Sequence, residues 1–187
     1  MKPNRPVRTA PVVRALLSLA FTALTLLIAT NAARAADPVA KQPQSQRLVV
    51  RGVDTVADGP CAAGVCQLAL TDGSFRGTPV GTGAYSGSVK LFVAAAFPNG
   101  EGGLCAPIEG EIVLGAGSPD RLVLALDGDS CQDGAGDVTT SSFTNVARFV
   151  VKYGSGKFAH TRGKGLATFA EDAADHERMT LVGHITR

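Results

Sequence analysis

The feature that most constrains this chain is a two-residue alternation of apolar and polar side chains, repeated in short segments. Ile108, Ile112 and Leu114 share one parity while Glu109 and Glu111 take the other. Leu122, Leu124 and Leu126 oppose Arg121 and Asp127, and Phe149, Val151 and Tyr153 oppose Arg148 and Lys152. Met179, Leu181, Gly183 and Ile185 oppose Arg178, Thr180 and His184. A period of two with one apolar face is the pattern of a half-buried antiparallel strand. No long amphipathic helical pattern interrupts it. The rhythm predicts strands near 47–53, 65–71, 74–80, 83–96, 105–115, 120–127, 143–153, 163–170 and 178–186. Asp58-Gly59-Pro60, Asp72-Gly73, Pro98-Asn99-Gly100, Gly115 to Asp120, Asp127-Gly128 and Gly154-Ser155-Gly156 are read as the turns between them. All 22 glycines follow residue 35. The expected fold is therefore all-β: a single antiparallel barrel of eight to nine strands, calycin-like, with a β-sandwich as runner-up.

Residues 1–35 read as a cleaved signal peptide. Lys2, Arg5, Arg8 and Arg14 precede an uncharged run from Ala15 to Thr30, and Ala33-Arg34-Ala35 supplies the small residues of a cleavage site. The apolar run is shorter than the roughly 20 residues that span a bilayer, so no stable membrane anchor is expected after cleavage. A loose arm over 36–46 and one domain over 47–187 follow. Five of the 18 basic residues and none of the 16 acids lie before residue 36, which leaves the remainder with a net charge of −3. The basic pI thus belongs to the leader, and nucleic acid is not an expected partner. The reading places the protein outside the cytoplasm, secreted or periplasmic.

Cys61, Cys66, Cys105 and Cys131 all fall after the leader, and an even count in an exported chain implies two disulfides. Three pairings are open; Cys61–Cys66 with Cys105–Cys131 is preferred, because Gly64 gives the first loop a turn. A zinc site is disfavoured, there being no Cys-x-x-Cys pair and no histidine nearby in sequence.

The stretch Gly154-Ser155-Gly156-Lys157-Phe158, followed by Arg162-Gly163 and later by Thr180-Leu181-Val182-Gly183, resembles a signature near the C-terminal end of dirigent proteins and allene oxide cyclases. The resemblance covers about thirty residues. It implies an eight-stranded antiparallel barrel, often a homo-oligomer (a trimer), with an apolar cavity. Those families steer a cyclisation or a coupling through acids and polar groups inside the cavity, and these groups are not placed on this chain by the match.

Several groups are candidates for chemistry. Tyr85 is in phase with Val89, Leu91 and Val93, and Asn145 and Tyr153 with Phe149 and Val151; a buried phenol or amide needs a partner, which a cavity ligand supplies. The bland alternative puts them at the barrel ends, bonded to water or backbone. Residues 91–147 contain eight acids and one base, whereas Arg148, Lys152, Lys157, Arg162 and Lys164 form a basic run suited to an anion, or simply to solvated strand faces. Asp127, Asp129, Asp133 and Asp137 share a glycine-rich stretch, but the spacing fails the helix–loop–helix calcium pattern, so no metal is expected. His160, His176 and His184 match no local metal spacing, and no Gly-x-Ser-x-Gly elbow is present. No cofactor is implied. The leading expectation is a non-enzymatic protein that binds a small apolar or aromatic ligand through Tyr85, Asn145 and Tyr153. One alternative is a dirigent- or cyclase-like enzyme, which requires at least two titratable groups converging inside the barrel. The other is an envelope interaction protein using its charged faces.

Overall fold

A computed structural model describes residues 44–135, 141–171 and 176–187. The leader, most of the arm and Asp137 lie outside the described residues. Nine strands follow in order: β1 (Ser45–Ala62), β2 (Val65–Thr78), β3 (Gly81–Leu91), β4 (Phe97–Pro98), β5 (Leu104–Leu114), β6 (Leu122–Gln132), β7 (Phe143–Gly154), β8 (Arg162–Glu171) and β9 (His176–Thr186). All pairings are antiparallel. The sheet runs β3-β2-β1-β9-β8-β7-β6-β5, and β3 also pairs with β5, so eight strands close into a barrel. The two-residue β4 is an extra strand on β5. The barrel expectation holds and the sandwich is excluded. Among the described residues no helix is long and apolar enough to cross a membrane.

The alternation read from the sequence is the inward face of this barrel. Ile108, Ile112, Leu114, Leu122, Leu124, Leu126, Ala147, Phe149, Met179, Leu181 and Ile185 are all buried in one core with Leu48 and Val50. Burying side chains of this size contributes roughly 1.5–3 kcal/mol each. Both preferred disulfides are present, Cys61–Cys66 and Cys105–Cys131, and each joins directly opposed strand positions. They suit an oxidising surrounding.

Several dipeptides expected to be turns lie inside strands instead. Asp58-Gly59-Pro60 is within β1, where the pairing with β2 shifts register between Asp58 and Cys61. Asp127-Gly128 is within β6: a Cβ at Gly128 would come 2.4 Å from Ala147 Cα, so the glycine admits the close approach of β7. Asp72-Gly73 is a β-bulge in β2, because Val53 opposes Ser74 while Thr55 opposes Thr71, and Asp72 takes φ 54°. Two residues of β2 there face one residue of β1, which is Asp54. The predicted strands 65–71 and 74–80 are thus one bulged strand, ending at Thr78. At the other end of the barrel the turn Gly156–Phe158 buries Phe158 to 3% exposure, with Arg187 4.9 Å from the ring centre.

Candidate functional site

The inward positions of β1 run Leu48, Val50, Gly52, Asp54, Val56. Asp54 therefore continues an apolar face, and it is only 6% exposed. Its direct cross-strand neighbour on β9 is Glu177, which continues the face of Met179, Leu181 and Ile185 and is 3% exposed. Two carboxyls are thus stacked side by side across the β1–β9 pair, inside the barrel.

Two further side chains hold them. The Tyr85 phenol on β3 donates a hydrogen bond to Asp54 Oδ1. Its ring lies over two residues that have no side chain: a Cβ at Gly52 would come 2.8 Å from Tyr85 Cε1, and one at Gly73 2.7 Å from Cδ1. Glycines on β1 and at the β2 bulge thereby open the slot that lets a large ring reach across to Asp54. From β7, Asn145 Nδ2 donates to Glu177 Oε2 at 3.2 Å. Asp54 Oδ2, Glu177 Oε1 and Asn145 Oδ1 are buried and have no donor among the described groups.

Burial is the main reason both carboxyls resist ionising. It pushes Asp54 above its usual range, against the opposing pull of the hydrogen bonds from Tyr85 and Glu177. Glu177 is pushed up to about 8, by burial first and then by the charges of Asp54 and Glu171. Tyr85 is raised as well, by burial and by its bond to Asp54. A proton on Glu177 supplies the donor to Asp54 that the surrounding groups lack. Glu177, pushed up to about 8, therefore keeps its proton at neutral pH, and Asp54 is raised in the same direction.

The space around the pair is uneven. Inward of it, Val56, Leu68, Leu70, Val89, Ile108, Leu126 and Phe169 enclose about 30 Å³, room for a water or two rather than an organic molecule. On the rim the same two carboxyls border an open cleft of about 690 Å³, shared with Val53, Asp72, Asp133, Ser142, Glu171 and Arg178. The wide apolar cavity implied by the family resemblance is thus a packed interior here, and the free space lies at the rim.

Of the three residues expected inside, Tyr85 and Asn145 are brought together around the carboxyl pair. Tyr153 is not. It is 54% exposed on the outer surface, because a bulge in β7 lets Val123 face Tyr153 while Leu124 faces Val151. The additional residue, Lys152, resets the alternation and turns Tyr153 outward. The basic run is spread over exposed positions of β7, β8 and the turn between them. Lys152 is ion-paired with Glu111 and Lys157 with Asp120, while Arg148 stands opposite Asp127 in the β6–β7 register. Arg162 and Lys164 are exposed on β8. No cluster of histidine, cysteine and carboxylate groups able to hold a metal occurs among the described residues. Asp54 and Glu177 are the residues that sequence reading missed. Each lies one residue outside an expected strand, Asp54 past 47–53 and Glu177 before 178–186, and Glu177 is in phase with the Met179, Leu181 and Ile185 series.

No protein-family model matches the chain, and no curated protein matches it at a significant level.

Proposed function

We propose that the rim of the barrel is a small-molecule site at which the Asp54–Glu177 pair exchanges a proton with the bound molecule. This is the acid–base chemistry that steering a cyclisation or coupling requires. The observation that carries it is the buried cross-strand carboxyl pair bordering an open cleft, with burial pushing Glu177 up to about 8. General acid–base groups work best when they titrate close to the working pH. In this reading Asp54, oriented by the Tyr85 phenol, takes a proton from the bound molecule, and Glu177 returns one from its own carboxyl. The net charge of the pair is unchanged over the cycle. Asn145 fixes the Glu177 carboxyl. The ligand rests in the cleft against Val53 rather than in the packed interior, and an apolar or aromatic body suits that wall. The resemblance to dirigent proteins and allene oxide cyclases agrees with acids acting inside a barrel. The two disulfides and the leader-like residues 1–35 support an exported protein that works in a periplasm or outside the cell.

The test is incubation in D₂O with a small-molecule extract of the fraction from which the protein is purified, followed by mass spectrometry. Wild type is expected to give at least one component carrying carbon-bound deuterium or an isomerised skeleton. Asp54→Asn and Glu177→Gln are expected to give none. Identical extracts after treatment with wild type and with either variant would sink the reading.

A further inference from the structure

At the end of the barrel opposite the carboxyl pair, β7 and β8 part. Their register runs from Phe143↔Glu171 to Val150↔Lys164 and stops there, although β7 continues to Gly154 and β8 already begins at Arg162. Beyond that point β7 stays with β6, through Leu122↔Gly154, and β8 stays with β9, through Arg162↔Thr186. The bulge at Lys152 interrupts β7 at the same place. Between the parted strands lies an open cleft of about 550 Å³, lined by Lys152, Tyr153, His160, Thr161 and Arg162 among others. That volume falls within the roughly 300–1,000 Å³ usual for small-molecule sites.

Two independent features mark the cleft for an occupant. The first is electrostatic. Among the described residues no carboxyl lines it, and its cations are unequal. Lys152 is held by Glu111, whereas Arg162 is exposed and has no ion-pair partner among the described residues. The lining thus presents one uncompensated guanidinium, a planar fork of donors that fits a carboxylate in two-point contact. A phosphate monoester brings a charge of about −1.5 to −2, more than this lining balances. The second feature is Thr161. It is only 4% exposed, yet its hydroxyl oxygen has no hydrogen-bond partner among the described groups. A buried hydroxyl left unpaired is costly, and on the lining of a cleft the missing partner comes from whatever fills it. Tyr153 adds a ring, 54% exposed, to the same lining. Such a ring offers an apolar face and a polar tip to a ligand that stays partly in water.

We propose that this cleft binds a sugar acid of the uronate class: Arg162 takes the carboxylate, Thr161 a ring hydroxyl, and one C–H face of the sugar rests on Tyr153. A hydroxylated body suits an open cleft, where much of the occupant remains hydrated, whereas an apolar acid gains little from so incomplete a burial. The site is separate from the carboxyl pair, and the proton exchange proposed there does not depend on it.

The chain has no tryptophan and only two tyrosines, so ring-labelled tyrosine gives separate NMR signals for buried Tyr85 and for Tyr153 in the cleft. The experiment is titration of the whole protein, at neutral pH and low salt, with sodium D-glucuronate and sodium D-galacturonate. D-glucose, inorganic phosphate and 3-phenylpropanoate are the comparison ligands. At least one uronate is expected to shift the Tyr153 signal, to leave that of Tyr85 in place, and to bind at least tenfold more tightly than each comparison ligand. Arg162→Gln should lower that affinity at least tenfold, to the level of the neutral sugar. Thr161→Val, which keeps the shape and loses the hydroxyl, should lower it at least threefold. Lys164→Gln, on β8 but outside the lining, should change it less than twofold. An unmoved Tyr85 signal in each variant establishes that the barrel is folded. A trisaccharide of the uronate that binds as well as the single sugar supports a polysaccharide as its source, and weaker binding of the trisaccharide supports a free sugar acid. Glucose binding as tightly as the uronates, an affinity unchanged in Arg162→Gln, or an unmoved Tyr153 signal with both uronates would overturn the proposal. So would equal or tighter binding of phosphate or of 3-phenylpropanoate, which would make the cleft a site for phosphate or for apolar acids. D₂O labelling at the rim should persist in Arg162→Gln, so the two readings fail separately.

Discussion

The most direct consequence of the buried carboxyl pair is a stability that falls as pH rises through the neutral range. Glu177 in the folded chain keeps its proton to about pH 8, whereas the same group has an ordinary value of 4.5. Below the ordinary value the folded and unfolded chains are both protonated, and the group costs nothing. Between the two values the unfolded chain releases the proton and the folded chain holds it, so each step up in pH favours unfolding. The gap is about 3.5 pH units at roughly 1.4 kcal/mol each, a ceiling of about 5 kcal/mol on the stability lost. Asp54 is raised in the same direction and adds to the trend. Coupling within the pair spreads the loss over both groups. Glu177→Gln removes the ionisation while keeping the shape and an N–H donor to Asp54. The assay is guanidinium unfolding followed by far-ultraviolet circular dichroism, for wild type and variant, at half-unit steps from pH 4.5 to 9 without reductant. The variant is expected to be close to wild type at the acid end. It should gain on wild type by roughly 2–5 kcal/mol at the alkaline end, where a buried charge has been avoided. Titrating groups that do not interact with Glu177 contribute equally to both chains and cancel in the difference. A difference that changes by less than about 1 kcal/mol across the range would refute the reasoning, because the pair would then be solvated and ordinary.

Tyr85→Phe removes the donor to Asp54 and should cost about 1–3 kcal/mol in the same unfolding assay, with an unchanged value indicating that water replaces the phenol. Gly73→Ala places a Cβ 2.5 Å from the Tyr85 carbonyl oxygen and 2.7 Å from its ring, so a loss of about 1–3 kcal/mol and a shifted tyrosine fluorescence are expected. Cys105–Cys131 spans 26 positions and Cys61–Cys66 only 5, so replacing the first pair by serine should lower stability by about 3–4 kcal/mol and replacing the second by about 2. Tyr153→Ala, on the outer surface, should change unfolding by less than about 0.5 kcal/mol and leave binding at the carboxyl pair unaltered.

Where the alternation was regular, strands and core were legible in the sequence, because a two-residue period converts directly into an inward face. Leu122, Leu124 and Leu126, or Met179, Leu181 and Ile185, needed no further information. What failed were the interruptions. A glycine beside an aspartate has the same local signature whether the chain reverses or a neighbouring strand passes close, and only the register of that neighbour distinguishes Asp72-Gly73 in its bulge from a hairpin turn. The bulge at Lys152 is likewise a property of the β6–β7 pair, not of β7, and it inverted the face assigned to Tyr153. The site was half legible. Tyr85 and Asn145 are polar residues within clear apolar series, and their inward placement was legible from that phase. Asp54 and Glu177 carry the same signal, but each lies one residue outside the strands expected at 47–53 and 178–186.

The carboxyl pair also bears on when the protein can act. Asp54 belongs to the first strand of the ring and Glu177 to the last, and β1 meets β9 only when the two extremes of the barrel sequence come together. Contacts so distant along the chain are slow to form and give no stabilisation until the loop between them is closed. A chain emerging N-terminus first carries Asp54 early and remains without its partner until nearly the whole barrel has been delivered. The carboxyl pair is thus assembled in one step with ring closure. Unfolded chains, nascent chains and chains shortened by their final strand lack the pair, so its raised titration is a mark of completed folding.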